Sequence, residues 1–217
     1  MKLEKMQLFF ENRLAGYDEH MRTTIEGAAE FYPFTAARLP AAEHCAVLDL
    51  GCGTGLELEE YFALNPSAYI TGIDLSQGML SVLRGKFPGK ELDLICGSYF
   101  DVPFGIARFD AAVSVESLHH FKAEKKLALY GKLSASLKAD GYFILTDYFA
   151  ESEALEQEYF ETLRRLKAEQ GIDDGGFYHY DTPLTVEHEM QVLQAAGFSR
   201  CEILKNWGAT YTVKAAK

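Results

Sequence analysis

The chain has 217 residues, 48% apolar and 24% charged, the mix of a globular domain and not of a disordered or fibrous one. A chain this long buries about 70% of its unfolded surface and needs no disulfide or metal to fold. Twenty-one Lys and Arg stand against 32 Asp and Glu, and a formal charge of -11 argues against nucleic acid as the main partner, since phosphate backbones are held chiefly by cations.

Cys45, Cys52, Cys96 and Cys201 are scattered without a CxxC pair, which suggests neither a disulfide framework nor a zinc knuckle and points to a reduced, cytoplasmic setting. Glu4, Lys5 and Glu11 break the opening stretch. No run approaches the roughly 18 apolar residues of a membrane span, so neither a signal peptide nor a membrane segment is expected.

Residues 1–40 read as a helical cap, closed by Pro33 and Pro40 and expected to lie across the edge of a sheet. From 45 to 150, short apolar runs alternate with helical patterns, the order that builds a parallel sheet with crossover helices. The expected strands are Ala46 to Leu50, Tyr69 to Ile73, Leu92 to Cys96, Phe109 to Val115 and Tyr142 to Thr146. Between the last two, Leu127, Tyr130, Leu133 and Leu137 recur at helical spacing, and Gly141 stands where a left-handed residue ends a helix. Lys122, Lys125, Lys126, Lys132 and Lys138 read as the solvated face of that helix. Residues 151–183 form a lid insertion: a Glu-rich helix to Gln170 stopped by Gly171, the loop Asp173, Asp174, Gly175, Gly176, then Phe177, Tyr178, His179 and Tyr180. Residues 184–217 hold a helix capped by Thr185 and ended by Gly197, and a hairpin of Cys201 to Trp207 and Thr210 to Ala215. The fold class is therefore α/β: a doubly wound, mostly parallel Rossmann-like sheet with a C-terminal antiparallel hairpin, in one domain.

The strongest chemical signal is Asp49, Leu50, Gly51, Cys52, Gly53, Thr54, Gly55, a strand that ends in an acid and enters a triple-glycine turn before a helix. Such a turn brings backbone N–H groups close to a ligand at a helix N-terminus. The nicotinamide fingerprint fails, because its sixth position is Leu56 counted from Gly51 and Leu58 counted from Gly53. Asp74, about 20 residues past the turn at the end of the second strand, is placed to accept both hydroxyls of a ribose, with Leu75 and Met79 flanking a base.

In these features the sequence resembles the class I S-adenosylmethionine-dependent methyltransferases, over residues 45–150 and again at Ala195, Ala196, Gly197 and Phe198. Within them it is similar to small bacterial members with Ser117, Leu118, His119, His120, Phe121 after Glu116, and Asp181 to Thr185. The resemblance implies S-adenosylmethionine as cofactor and S-adenosylhomocysteine as product. It implies that Asp49, Gly51, Cys52, Gly53 and Gly55 line the methionine part, and Asp74, Leu75 and Met79 the ribose and adenine. Gly97 and Ser98, followed by Tyr99, fall where the family often has Gly-Asp, so the adenine contact at Ser98 loses its charge. Glu116 faces the methyl group, and Tyr17 closes the N-terminal segment over the cofactor.

The expected reaction is methyl transfer to a small-molecule acceptor, with His120 or His119 taking a proton and Tyr148 behind them. Tyr148, Tyr178, His179 and Tyr180 are the expected acceptor wall. No metal is expected, since adjacent histidines stand without a carboxylate at ligand spacing, and the Cys52 thiol reads as packing. A nucleoside-binding protein without turnover and an RNA methyltransferase are the alternatives. The chain is expected to act as a monomer or homodimer.

Overall fold

The computed structural model describes residues 1–173 and 175–217, so Asp174 of the lid loop lies outside the described residues. Five parallel strands, β1 (Ala46–Leu50), β2 (Tyr69–Asp74), β3 (Glu91–Cys96), β4 (Phe109–Val115) and β5 (Leu137–Tyr148), are continued by the antiparallel pair β6 (Arg200–Trp207) and β7 (Thr210–Ala216). The order across the sheet is β3-β2-β1-β4-β5-β7-β6, so the winding reverses between β1 and β4. A crevice outside the carboxyl ends of strands at such a reversal is the usual ligand site of an open α/β sheet.

Alternation along the strands builds two cores. In β1, Leu48 and Leu50 face a cluster with Phe143 and Leu145, under α6 (Ala123–Ser136) and α8 (Val186–Ala195). Val47 faces the other side, where Val113 and Ile144 meet α3 (Ala28–Ala36), α4 (Leu56–Leu64) and α5 (Gln77–Lys86). The N-terminal cap thus differs from expectation: α3 covers a sheet face, with Pro33 inside it rather than closing it. A buried chain of hydroxyls, Thr35 to Thr146 (2.6 Å) and Thr146 to Thr212 (2.8 Å), ties it to β5 and β7. A Phe31, Phe34 and Trp207 aromatic cluster adds apolar area to that contact. The preceding helices, α1 (Met6–Asn12) and α2 (Tyr17–Thr24), lie over the carboxyl ends of the strands, and Thr54 in the glycine turn donates to Asp18 of α2 (2.5 Å).

Two further expectations are corrected. Leu137 opens β5 instead of closing the helix, pairing with Phe109, and Gly141 sits within the strand without a left-handed backbone. Its missing Cβ makes room for Leu137 Cβ and the Lys138 carbonyl, each about 3 Å from where a Cβ would stand. The lysines are not one solvated face either. Lys126 is buried and pairs with Glu189 of α8, whose other oxygen accepts from the Tyr130 hydroxyl, while Lys132 donates to the carbonyls of Tyr99, Phe100 and Val102. Elsewhere the local signals hold: Thr185 Oγ1 accepts from the His188 N–H, Gly197 is left-handed, and Gly208 turns the hairpin. The lid insertion carries α7 (Glu153–Glu169), capped by Ser152 and tied to α8 through Glu156, which accepts from the Thr185 N–H (2.7 Å) and contacts His188 Nδ1 (2.7 Å). Among the described residues, no helix is long and apolar enough to cross a membrane.

Removing one member of the buried Lys126–Glu189 pair strands the other charge. Lys126→Ala is expected to cost about 3–5 kcal/mol in urea denaturation, and Lys126→Met with Glu189→Leu to recover most of it. A Lys126→Ala protein as stable as the parent contradicts this.

Candidate active site

Every strand from the middle of the sheet delivers a carboxylate to one end: Asp49 on β1, Asp74 on β2, Glu116 just past β4 and Asp147 on β5. Asp49 and Asp147 are each 1% exposed. Asp74 Oδ2 accepts from the Gly53 N–H (2.9 Å) and Oδ1 from the Ser76 N–H (2.8 Å), which locks the glycine turn to the end of β2. Gly51 is required twice over. Its φ is +77°, and a Cβ there would stand 2.0 Å from Ser117 Oγ.

Cys52 turns its thiol away, against Gly72, and packs as its lack of a base suggested. Gly55 starts α4 in the left-handed region, with Leu83 and Phe87 against its open side. Asp49 lies beneath the turn beside Glu57. Burial, and then the neighbouring Glu57 carboxylate, push the Asp49 carboxyl well above the usual range, and one oxygen of each is buried without a hydrogen-bond partner.

Two cavities meet at these strand ends. The smaller, about 50 Å³, is lined by Met6, Gly51, Gly53, Asp74, Leu75, Met79, Tyr99 and Ser117. The larger, about 800 Å³, is bounded by Phe9, Arg13, His119, Tyr148, His179, Asp181, Trp207 and Thr210. Four residues line both: Phe10, Tyr17, Glu116 and His120. Tyr17, expected over the cofactor, is therefore in the dividing wall. Ser98 lies outside both linings and instead caps its own turn, its Oγ accepting from the Phe100 N–H (3.2 Å). Of the expected acceptor wall, Tyr148 and His179 line the larger cavity and Tyr178 and Tyr180 do not. The reason is pairing: the Lys5–Tyr178 bridge fixes the segment as extended chain, in which neighbouring side chains alternate. His179 stacks on Phe9, centroids 3.4 Å apart.

The histidines sit on a 3-10 turn, Leu118–His120, held from three sides. Asp147 Oδ2 accepts from the Leu118 N–H (2.8 Å), Asp147 Oδ1 lies 2.5 Å from His119 Nδ1, and the His119 carbonyl accepts from the Thr182 N–H (2.8 Å). Asp181 Oδ1 then lies 3.6 Å from His119 Nε2 and 3.1 Å from His120 Nδ1. Burial opposes protonation of His119, but the Asp147 charge and hydrogen bond, with Asp181 and Glu116, outweigh it and raise its pKa to about 9. Burial and then the His119 charge lower His120. Burial and then the Asp147 charge bring Glu116 up to about 7, and its backbone is held at φ +49° while Thr210 Oγ1 donates to its Oε1 (3.1 Å). The sequence reading missed Asp147, and it named Asp181 only as the start of the Asp181-to-Thr185 segment, with no role in the site. An acid at the end of β5, matching Asp49 and Asp74 on their strands, is the available signal for the first; Asp181 is brought in only by the fold.

Residues 47–141 match the family model of a methyltransferase domain. The O-methyltransferase cnsE of Penicillium expansum is 32% identical over 114 residues, 51% of this chain and 40% of that protein. A tRNA (carboxymethyluridine(34)-5-O)-methyltransferase of Arabidopsis thaliana is 31% identical over 49% of this chain and 25% of its own length. The chain thus corresponds to less than half the length of these relatives. A crystal structure of an S-adenosylmethionine-dependent methyltransferase from Mesorhizobium loti superposes with a TM-score of 0.62 at 17% identity, covering 85% of this chain and 96% of that one. The methyltransferase-domain match thus spans residues 47–141, and the sheet order that reverses at the acid-glycine turn is the fold this chain shares with that methyltransferase structure.

Proposed function

We propose that this protein transfers a methyl group from S-adenosylmethionine to a small-molecule acceptor held in the 800 Å³ cavity. The observation that carries this reading is the wall of Phe10, Tyr17, Glu116 and His120 shared by the two cavities, across which a methyl group would pass. The residues present fit the cofactor: Gly53 leaves its side of the smaller cavity open, with the Gly51 carbonyl 4.0 Å from where a Cβ would stand, and Asp49 keeps a buried oxygen without a partner at an acid-rich end suited to a cation. When bound, the cofactor supplies an electrophilic methyl on a sulfonium, which departs as a neutral thioether and needs no proton. In this reading Asp74 holds the ribose hydroxyls, and Leu75 and Met79 flank the adenine. Tyr99 closes the floor, its hydroxyl donating to the Ser117 carbonyl (3.3 Å).

The walls of the larger cavity orient the acceptor and exclude water, and orientation alone is worth several powers of ten in such a displacement. The acceptor's O–H or N–H proton goes to Glu116, the one carboxylate among the described residues that lines both cavities. This departs from the expectation of His119 or His120. Both ring nitrogens of His119 already face carboxylates, and His120 Nδ1 faces Asp181. A cavity of this volume, walled by Phe9, Phe10, Tyr148 and Trp207 but also by Arg13, Glu116 and His120, suits a compact acceptor with both an apolar and a polar side.

The tRNA-modifying relative motivates a second reading, an RNA acceptor, against which the net charge of -11 stands. A gel shift with bulk transfer RNA at low salt separates the two: retardation at micromolar protein favours RNA, its absence the small molecule.

Calorimetry with S-adenosylhomocysteine is expected to give saturable binding, weakened about tenfold or more by Asp74→Ala with the circular dichroism spectrum unchanged, since one lost charge-assisted hydrogen-bond pair costs about 1.5–3 kcal/mol. Equal affinity for parent and variant removes Asp74 from the site. In a screen of phenols, amines and small acids, Glu116→Gln is expected to slow transfer by about 10²–10⁴ while cofactor affinity changes little. Parental rates in that variant rule out Glu116 as proton acceptor, and cofactor binding with no turnover on the whole panel favours a binding protein instead.

A further inference from the structure

We infer that His119 Nε2, His120 Nδ1 and Asp181 Oδ1 form a binding site for one divalent transition-metal ion at the wall of the larger cavity. The three atoms lie within 4.8 Å of one another, with Asp181 Oδ1 3.1 Å from His120 Nδ1 and 3.6 Å from His119 Nε2. Donors bound at about 2.1 Å around a tetrahedral ion stand about 3.4 Å apart, so these separations match two edges of a coordination shell. Asp181 Oδ1 is itself shielded from solvent and receives no well-aligned hydrogen bond, its nearest polar neighbours being the two ring nitrogens, and His120 Nδ1 has besides it, among the described residues, only the Tyr180 carbonyl at 3.4 Å.

The surroundings are those of a metal-binding imidazole. A ligating histidine normally gives its other ring N–H to a carboxylate, and His119 Nδ1 does so to Asp147 Oδ1 at 2.5 Å. Asp147 is in turn anchored by the Leu118 and Tyr148 N–H groups (2.8 and 3.0 Å), which directs His119 Nε2 toward Asp181. The Thr182 N–H bonded to the His119 carbonyl fastens the segment bearing Asp181 to the turn bearing both histidines. The other nearby grouping, Glu116 and Asp147 about His119 Nδ1, is excluded because a 2.5 Å hydrogen bond leaves no room for an ion between its donors.

Two imidazoles and one carboxylate on one side of an ion form a facial set, the donor type of iron(II), zinc and cobalt sites. All three ligands line the 800 Å³ cavity, so the remaining coordination positions open toward the space assigned to the acceptor. An acceptor oxygen or nitrogen bound there would be brought to the wall that holds Glu116. The sequence expectation of no metal rested on the lack of a carboxylate at ligand spacing; folding brings Asp181 across from some 60 residues away.

The site is independent of the methyl-transfer reading and is tested by binding itself. The full chain, dialysed free of metal, is titrated with Zn²⁺ by calorimetry and with Co²⁺ by absorption spectroscopy at neutral pH. The expected result is one equivalent bound, with cobalt ligand-field bands, and affinity reduced about tenfold or more by His120→Asn and by Asp181→Asn. His44→Ala and Cys96→Ser, remote and exposed, leave it unchanged. S-adenosylhomocysteine calorimetry on the same variants reports their folding and the cofactor reading separately. No ion bound at millimolar concentration, or equal affinity in parent and both site variants, overturns the proposal.

Discussion

Four carboxylates converge at one end of the sheet, and the rest of the molecule is arranged around the cost of keeping them there. A carboxylate withdrawn from water must be hydrogen-bonded, paired or protonated. Each of the four finds a different solution. Asp74 takes two backbone N–H groups, Asp147 takes two more and a histidine, Glu116 rises to about 7 beside Thr210, and Asp49 is pushed toward its neutral form against Glu57. Burial depresses the ionisation of Glu116 and Asp49, whereas the charge and hydrogen bond of the neighbouring His119 outweigh burial at Asp147 and hold it below its ordinary range.

This division of roles follows the reversal of winding. Asp49 and Asp74 lie on the side of the glycine turn, and Asp74 accepts from the Gly53 and Ser76 N–H groups that tie the turn to β2. Glu116 and Asp147 lie across the reversal and organise the histidine turn. The boundary between them runs along the wall shared by the two cavities, to which Glu116 itself belongs. α1 and α2 supply Phe10 and Tyr17 to that boundary, and their attachment through Asp18 and Thr54 makes the N-terminal cap part of the wall.

Much of the sheet was legible because parallel strands buried on both faces leave continuous apolar runs, and because Gly51, Gly53 and Gly55 all mark left-handed backbone at the end of the first strand. What escaped depended on distance in the chain. Gly141 resembled a helix stop, but only the pairing of Leu137 with Phe109 reveals that the strand has already begun. Lys126 resembled its solvated neighbours until Glu189 arrived from α8. Asp181 opens a recognised segment, but nothing local ties it to the two histidines, and Tyr178 differs from His179 only through a backbone bridge to Lys5 that no periodicity announces.

The account stands or falls on where the adenosyl group lies relative to that shared wall. A crystal structure with S-adenosylhomocysteine locates it directly. The account predicts ribose oxygens within hydrogen-bond reach of Asp74, and the sulfur turned toward Glu116, His120 and Tyr17, facing the larger cavity. A nucleoside seated elsewhere, or a sulfur turned away from that wall, contradicts it.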